Sequence, residues 1–234
     1  MKKPIWLNVV ANLVIFVLVA GVAVIGFSEN VSDAFNGEKG GAIYKGNSPN
    51  GVSLMINVYW GTEYLDEMLS TLNEHGAKCT FFVGGSWVAD NPRMLEKFLE
   101  SGHEIGNHGY FHKNQAKLDF DANLAEIATC HQAVKQLTGL EMTLFAPPSG
   151  AFSQETLRAA RHVGYETIMW SKDTVDWRDK DAETVYKRAT SGVKGGDLIL
   201  MHPTPHTAAA LERILVYYQQ SGLTAITVSK NIRC

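Results

Sequence analysis

The sequence predicts an α/β fold of about seven parallel strands behind one N-terminal transmembrane helix. Three observations predict it. From Val52 onward, short apolar runs alternate with stretches of helical period, as βα units of a parallel sheet require. Small polar clusters recur where the apolar runs end, the place where ligands collect in closed barrels and open parallel sheets alike. Ahead of both, Ile5 to Phe27 carries no charged residue.

That first segment is long enough to cross a ~30 Å bilayer core at ~1.5 Å per residue. Val24-Ile25-Gly26-Phe27 lacks a small-x-small cleavage site, and a signal peptide's apolar region is shorter, ~7–15 residues. An uncleaved anchor is the better reading. It is apolar on all faces, unlike a core helix. Lys2 and Lys3 hold the short N-terminus in the cytoplasm. The chain is therefore expected to sit in the cell membrane as a single-pass protein, with its domain on the extracytoplasmic side. Residues 28–49 read as a linker of Gly, Asn, Ser and charge, and 50–234 as the domain.

Within the domain, Val52 to Val58 is the first strand. Glu63 to Glu74 is a helix with Leu65, Met68, Leu69 and Leu72 on one face. Thr80 to Val83 is a strand. Asn91-Pro92 opens a helix to Ser101, with Pro in the tolerated first turn. Glu104 to Asn107 is a strand, and Asp119 to Leu137 a long helix ended by Thr-Gly139. Strands at Leu144–Ala146, Glu166–Met169, Leu198–Met201 and Thr224–Val228 alternate with helices at Ser153–Val163, Ala182–Ser191 and Thr207–Ser221. Seven strands suit a barrel or an open sheet.

Composition narrows the function. The chain has 234 residues, 45% hydrophobic, with formal net charge -3. A domain of this size buries a full core without staples. The charge leaves no footprint for nucleic acid. Cys79, Cys130 and Cys234 make no complete disulfide set, and the first two read as small buried apolar groups.

Five polar clusters end five strands: Asn57 to Gly61, His108 to His112, Ala146 to Gly150, Asp173 to Trp177, and His202. His108 and His112, at i and i+4, present two imidazole nitrogens to one ion. Their order resembles the polysaccharide deacetylase family, also called the NodB-homology domain or carbohydrate esterase family 4, over about Val52 to Val228. That resemblance implies a distorted (β/α) barrel that removes acetyl groups from chitin oligomers, peptidoglycan or xylan. In the family's motif order, His108 and His112 correspond to metal ligands and Asp176 to the residue tuning the catalytic histidine. Trp177 corresponds to a wall of the acetyl pocket, and Leu200-Met-His202 supplies the general acid, His202. Ser149 corresponds to the residue whose backbone N–H serves as oxyanion donor.

Two motifs depart from the family pattern. Asn57-Val-Tyr-Trp-Gly61 stands where Thr-Phe-Asp-Asp-Gly is usual, so Tyr59 replaces the base aspartate and Trp60 the metal-binding aspartate. Ala146-Pro-Pro-Ser-Gly150 lacks the arginine that orients the base. The losses are chemically consistent, because an arginine without its carboxylate is a buried unpaired charge. Asn-Val-x-Trp-Gly-x-Glu-Tyr-Leu is also similar to a divergent branch of the family in spore-forming bacteria, whose members are usually described as deacetylases.

Acetamide hydrolysis needs a polarised carbonyl, an activated water and a proton for the amine. A catalytic zinc-type ion usually has three protein ligands plus water. Here two imidazoles remain, so any divalent metal is expected to bind weakly or not at all. Indole N–H is a donor only, which rules out Trp60. Asn57 offers a poor amide oxygen. Glu63, the nearest carboxylate in sequence, is a surrogate ligand or base, or simply a first-turn helix residue favoured by the dipole. Two functions follow. One is an N-acetyl-glycan deacetylase of the cell wall with an altered metal site. The other is a degenerate domain that binds cell-wall or chitin-type polysaccharide, or a protein, in the old cleft. Trp60 suits stacking on a sugar ring, or plugs the pocket.

Overall fold

The computed structural model describes residues 41–234. Among them run β1 (Gly51–Val58), α1 (Leu65–Glu74), β2 (Thr80–Val83), α2 (Gly85–Asp90), α3 (Pro92–Glu100), β3 (Glu104–Asn107) and α4 (Phe120–Thr138). Then follow β4 (Leu144–Phe145), α5 (Gln154–His162), β5 (Glu166–Thr167), β6 (Lys172–Asp173), α6 (Asp176–Asp179) and α7 (Ala182–Thr190). β7 (Leu198–Met201), α8 (Pro205–Gln220), β8 (Thr224–Ala225) and α9 (Val228–Ile232) close the chain. The expected anchor, Ile5 to Phe27, lies outside the described residues. Among the described residues no helix is long and apolar enough to cross a membrane.

The strands form one parallel sheet in the order β5-β4-β3-β2-β1-β7-β6, with β8 against the start of β1. β5 and β6 lie at opposite edges, yet only Ile168 to Ser171 separate them in the chain. That link spans less than about 18 Å fully extended. A flat sheet would hold its edges about 29 Å apart, at ~4.8 Å per strand. The sheet must therefore curl, and it forms a barrel that stops short of closure. Ile43 lies in the seam: its N–H donates to the Thr167 carbonyl and its carbonyl accepts from Met169 N–H, each at 2.8 and 2.7 Å.

Side-chain alternation decides what each strand shows the barrel interior. In β1, Val52, Leu54, Ile56 and Val58 pack outward into the helix-covered core, while Met55 packs inward with Phe82, Leu144, Ala146 and Leu198. Asn57 is on the inward phase, at the C-terminal end. Continuing the β7 alternation past its last residue turns Leu200 and His202 inward as well. Gly106 makes room for this interior layer: a Cβ there would sit 2.5 Å from the Phe82 ring.

Helices start and stop by local chemistry. Asp119 caps α4 by accepting from Ala122 N–H, and left-handed Gly139 (φ 72°) ends it. Ser153 and Thr156 form a capping box on α5, and Thr204 caps α8 ahead of Pro205.

The structure corrects four expectations. The linker does not run to residue 49: Ile43 bridges Ile168, Lys45 bridges Asp197, and Asn47 N–H donates to the Asn231 carbonyl. An eighth strand, β6, was hidden because two residues carry no period. The short helices α2 and α6 lack the length for an amphipathic stripe. The last strand ends at Ala225, since Thr227 accepts from Lys230 N–H and caps a helix instead. Cys79 and Cys130 are buried free thiols, as their apolar surroundings imply.

Candidate functional site

At the C-terminal mouth of the barrel lies a cavity of about 290 Å³. The turn after β1 brings Tyr59 and Trp60 to its wall. Left-handed Gly61 makes that turn, and Trp87 Nε1 donates to the Gly61 carbonyl at 2.8 Å to hold it. The loop after β3 contributes His108 and His112. Ser149, Trp177, Leu200 and His202, also expected from sequence, line it as well, with Asn57 at the base. Residues far apart in the chain thus converge because each follows a strand that ends at the same rim.

His108 is buried, and its Nδ1–H donates to the Ala146 carbonyl at 2.7 Å. That bond leaves Nε2 as the free lone pair. Burial, and next the nearby His112, lower the His108 pKa to about 3, against the pull of that carbonyl. His112 is lowered too, chiefly by burial. Its backbone is left-handed (φ 55°), as is that of Ser149 (φ 55°) and Val175 (φ 51°). Such conformations cost on the order of 1–3 kcal/mol each and persist where surrounding contacts over-determine them. For the histidine loop the contact is buried Glu126, which accepts from the N–H groups of Tyr110 (3.1 Å) and Phe111 (2.8 Å) and pairs with Lys113.

Asp176 does not line the cavity. It is fully buried behind His202 and accepts four hydrogen bonds. Its Oδ1 takes His202 Nδ1–H (2.8 Å) and Trp177 N–H (2.9 Å). Its Oδ2 takes His202 N–H (2.6 Å) and the Thr207 hydroxyl (2.5 Å). Nothing in the sequence singled out Thr207 or Glu126, because their partners lie many residues away. Trp170 and Asp173 also line the cavity. Trp170 belongs to the link that crosses the barrel seam, so only closure of the curl brings it in.

Tyr59 and Trp60 fill the mouth with rings. Tyr59 stacks on His112, centroids 3.4 Å apart and 19° between planes. Trp60 stacks on His202 at 5.5 Å, and the two aromatics meet edge to face at 4.2 Å. Glu63 is not brought to the cavity. It is exposed, and its Oε2 accepts from Thr62 N–H at 2.9 Å, so it secures its own turn.

These donors do not fit a catalytic zinc. The His108 and His112 rings lie 5.0 Å apart, but Tyr59 and Trp60 supply no carboxylate and Asn57 supplies a neutral amide oxygen. Among the described residues, no three His, Cys, Asp or Glu side chains group as a metal site. The surviving chemistry is a paired histidine, His202, a backbone donor region at Ser149, and an aromatic wall.

Comparison with known proteins finds the same scaffold in deacetylases and in a pseudoenzyme. A family model described as polysaccharide deacetylase matches residues 45–168. The protein YlxY of Bacillus subtilis is 38% identical over 189 residues, covering 80% of this chain and 59% of that protein. The peptidoglycan-N-acetylglucosamine deacetylase PgdA of Listeria monocytogenes is 34% identical over 164 residues, 70% of this chain and 34% of that protein. The chain thus spans about three fifths of one relative and a third of the other. Among solved structures, a CE4 family pseudoenzyme from Bacillus anthracis superposes with a TM-score of 0.80 at 32% identity, covering 83% of this chain and 69% of that one. A mutant of that pseudoenzyme is described as having restored enzymatic activity.

Proposed function

The chain belongs to the polysaccharide deacetylase family, and from that premise we propose that it is a catalytically degenerate member which binds cell-wall glycan in the cleft. The carrying observation is the Tyr59 ring stacked at 3.4 Å on His112. Where its relatives' pattern has a base carboxylate, this chain places an aromatic face. Hydrolysis of an acetamide needs a base to take a proton from water. Tyr59 does not serve, because burial raises a phenol pKa that already lies near 10. Aromatic rings at a cleft mouth suit the apolar faces of pyranose rings.

Deacetylation by a rearranged mechanism is the second reading, favoured by the intact Asp176–His202 pair. The two separate in one experiment on the full chain: acetate release from acetylated glucosamine oligomers and from peptidoglycan, alongside co-sedimentation with peptidoglycan. Binding with background acetate release is expected. Brisk release abolished by His202→Ala would establish the enzyme reading.

We further propose that Ile5–Phe27 anchors the domain outside the cytoplasmic membrane, on the strength of its uncharged length and Lys2 and Lys3 before it. Protease added to intact spheroplasts is expected to remove the domain. Protection while the membrane is sealed would overturn this.

A further inference from the structure

Resting on the glycan-binding reading of the same cleft, we propose that its ligand is the protonated amine of a de-N-acetylated amino sugar. Asn57 Oδ1 and the Asp173 carboxylate would receive the ammonium, and Trp60 and Trp177 would wall it. Four observations carry this.

First, Asn57 is 3% exposed, lines the cavity, and leaves Oδ1 without a hydrogen-bond partner. A buried acceptor left unpaired is costly, so the site is built for an incoming N–H. Second, Asp173 puts a carboxylate on the cavity wall, and among the described residues no Lys or Arg lines it. Third, the wall is rich in aromatic faces. Trp177 is 54% exposed and Trp60 37%, so both present rings to an entering group, and a cation held over a Trp face is attracted by the ring quadrupole.

Fourth, the alternatives fit less of this. A metal ion lacks a third strong ligand, as shown above. A neutral acetamide offers one N–H to Asn57 but gains nothing from the carboxylate or from the ring quadrupoles. An ammonium offers three N–H donors and a positive charge, and so can engage the amide oxygen, the carboxylate and the ring faces together. The cleft would then read glycan from which acetyl groups have already been removed, and so act downstream of a deacetylation reaction catalysed by another protein.

The test is calorimetric titration of the full chain with tetramers of glucosamine and of N-acetylglucosamine. It is run at about pH 6, below the ~7.7–8.0 range of an ordinary α-amino group, so that the amine is charged. The glucosamine tetramer is expected to bind roughly tenfold tighter or better. That preference should be lost in Asp173→Asn, which keeps the acceptor for Val175 N–H, and weakened in Trp177→Ala. Asn57→Leu is expected to act in the same direction. Should it fail to fold, the two wall variants still decide. Equal or tighter binding of the acetylated tetramer would overturn the amine inference and leave glycan binding standing. Binding of neither tetramer would overturn both. A preference unchanged in Asp173→Asn and Trp177→Ala would place the amine elsewhere and overturn this assignment.

Discussion

Tyr59 lies flat on His112, ring centroids 3.4 Å apart, and thereby turns one face of a potential metal ligand into an aromatic contact. The stack extends through edge-on Trp60 to His202. Three histidines that the fold gathers for chemistry are thus partly engaged with rings. The same contacts line the mouth of the barrel with aromatic faces.

If the site is degenerate on an intact scaffold, carboxylates should revive it. Tyr59→Asp and Trp60→Asp combined with Ala146→Arg are expected to raise acetate release well above the wild type. A well-placed base contributes about 10²–10⁴-fold. Ala146 is fully buried, so Ala146→Arg alone should cost on the order of 3–5 kcal/mol in urea unfolding, as a buried unpaired charge. Tyr59→Asp should relieve part of that cost. A triple variant as inert as wild type would show that the scaffold too has drifted.

Asp176 also holds together the structure around it. Its carboxylate satisfies His202, Trp177 and Thr207 in a dry environment. Asp176→Ala is expected to lower unfolding free energy by on the order of 3–5 kcal/mol, and Thr207→Val by about 1–3. Chemical denaturation measures both. A neutral Asp176→Ala would mean the group is kept for reactivity alone.

Stability should fall in mild acid through His103. It is 5% exposed, and its Nδ1 accepts from Cys79 N–H at 3.3 Å. Burial, and then the charge of Lys78, lower its pKa from 6.5 to about 4. The unfolded chain therefore takes up a proton that the folded chain refuses between those values. The contribution is fully present above about 6.5 and is lost as pH falls toward 4, on the order of 3 kcal/mol in all. Urea midpoints at pH 7 and about 4.5 should diverge less in His103→Leu than in wild type. Equal divergence would assign the acid sensitivity elsewhere.

Metal should leave stability untouched. Two imidazoles and an amide oxygen bind zinc more weakly than a His-His-carboxylate site. Purified full-length protein is expected to hold substoichiometric zinc, and chelation should not move the thermal midpoint, because a ligand stabilises only in proportion to its occupancy. Stoichiometric zinc that survives mild chelation would require a third strong ligand to join the two imidazoles.

Much of the site was legible before any coordinates. Val52–Val58, Thr80–Val83 and Leu198–Met201 announce buried parallel strands by short, mostly apolar runs, and the residues just past them are bound to share one rim. That Tyr59, Trp60 and Ala146 carry no carboxylate or guanidinium is a matter of residue identity, readable at once. Glu63 shows the limit. Its nearness in sequence suggested a surrogate ligand, but Gly61 turns the chain and Glu63 bonds to Thr62.

The sequence by itself determined the order of βα units, the pair of histidines and the aromatic side chains at positions 59 and 60. Those are local properties, carried by apolar period and side-chain chemistry. Tertiary structure alone decided that the sheet curls far enough for Trp170 to reach the cavity and that Tyr59 covers His112. It also decided that Glu126 cradles the histidine loop and that Asp176 is sealed behind His202 by Thr207. Each of these depends on the closing of a curled sheet, which brings together residues that share no local pattern, and on ring orientations set by packing across the barrel mouth.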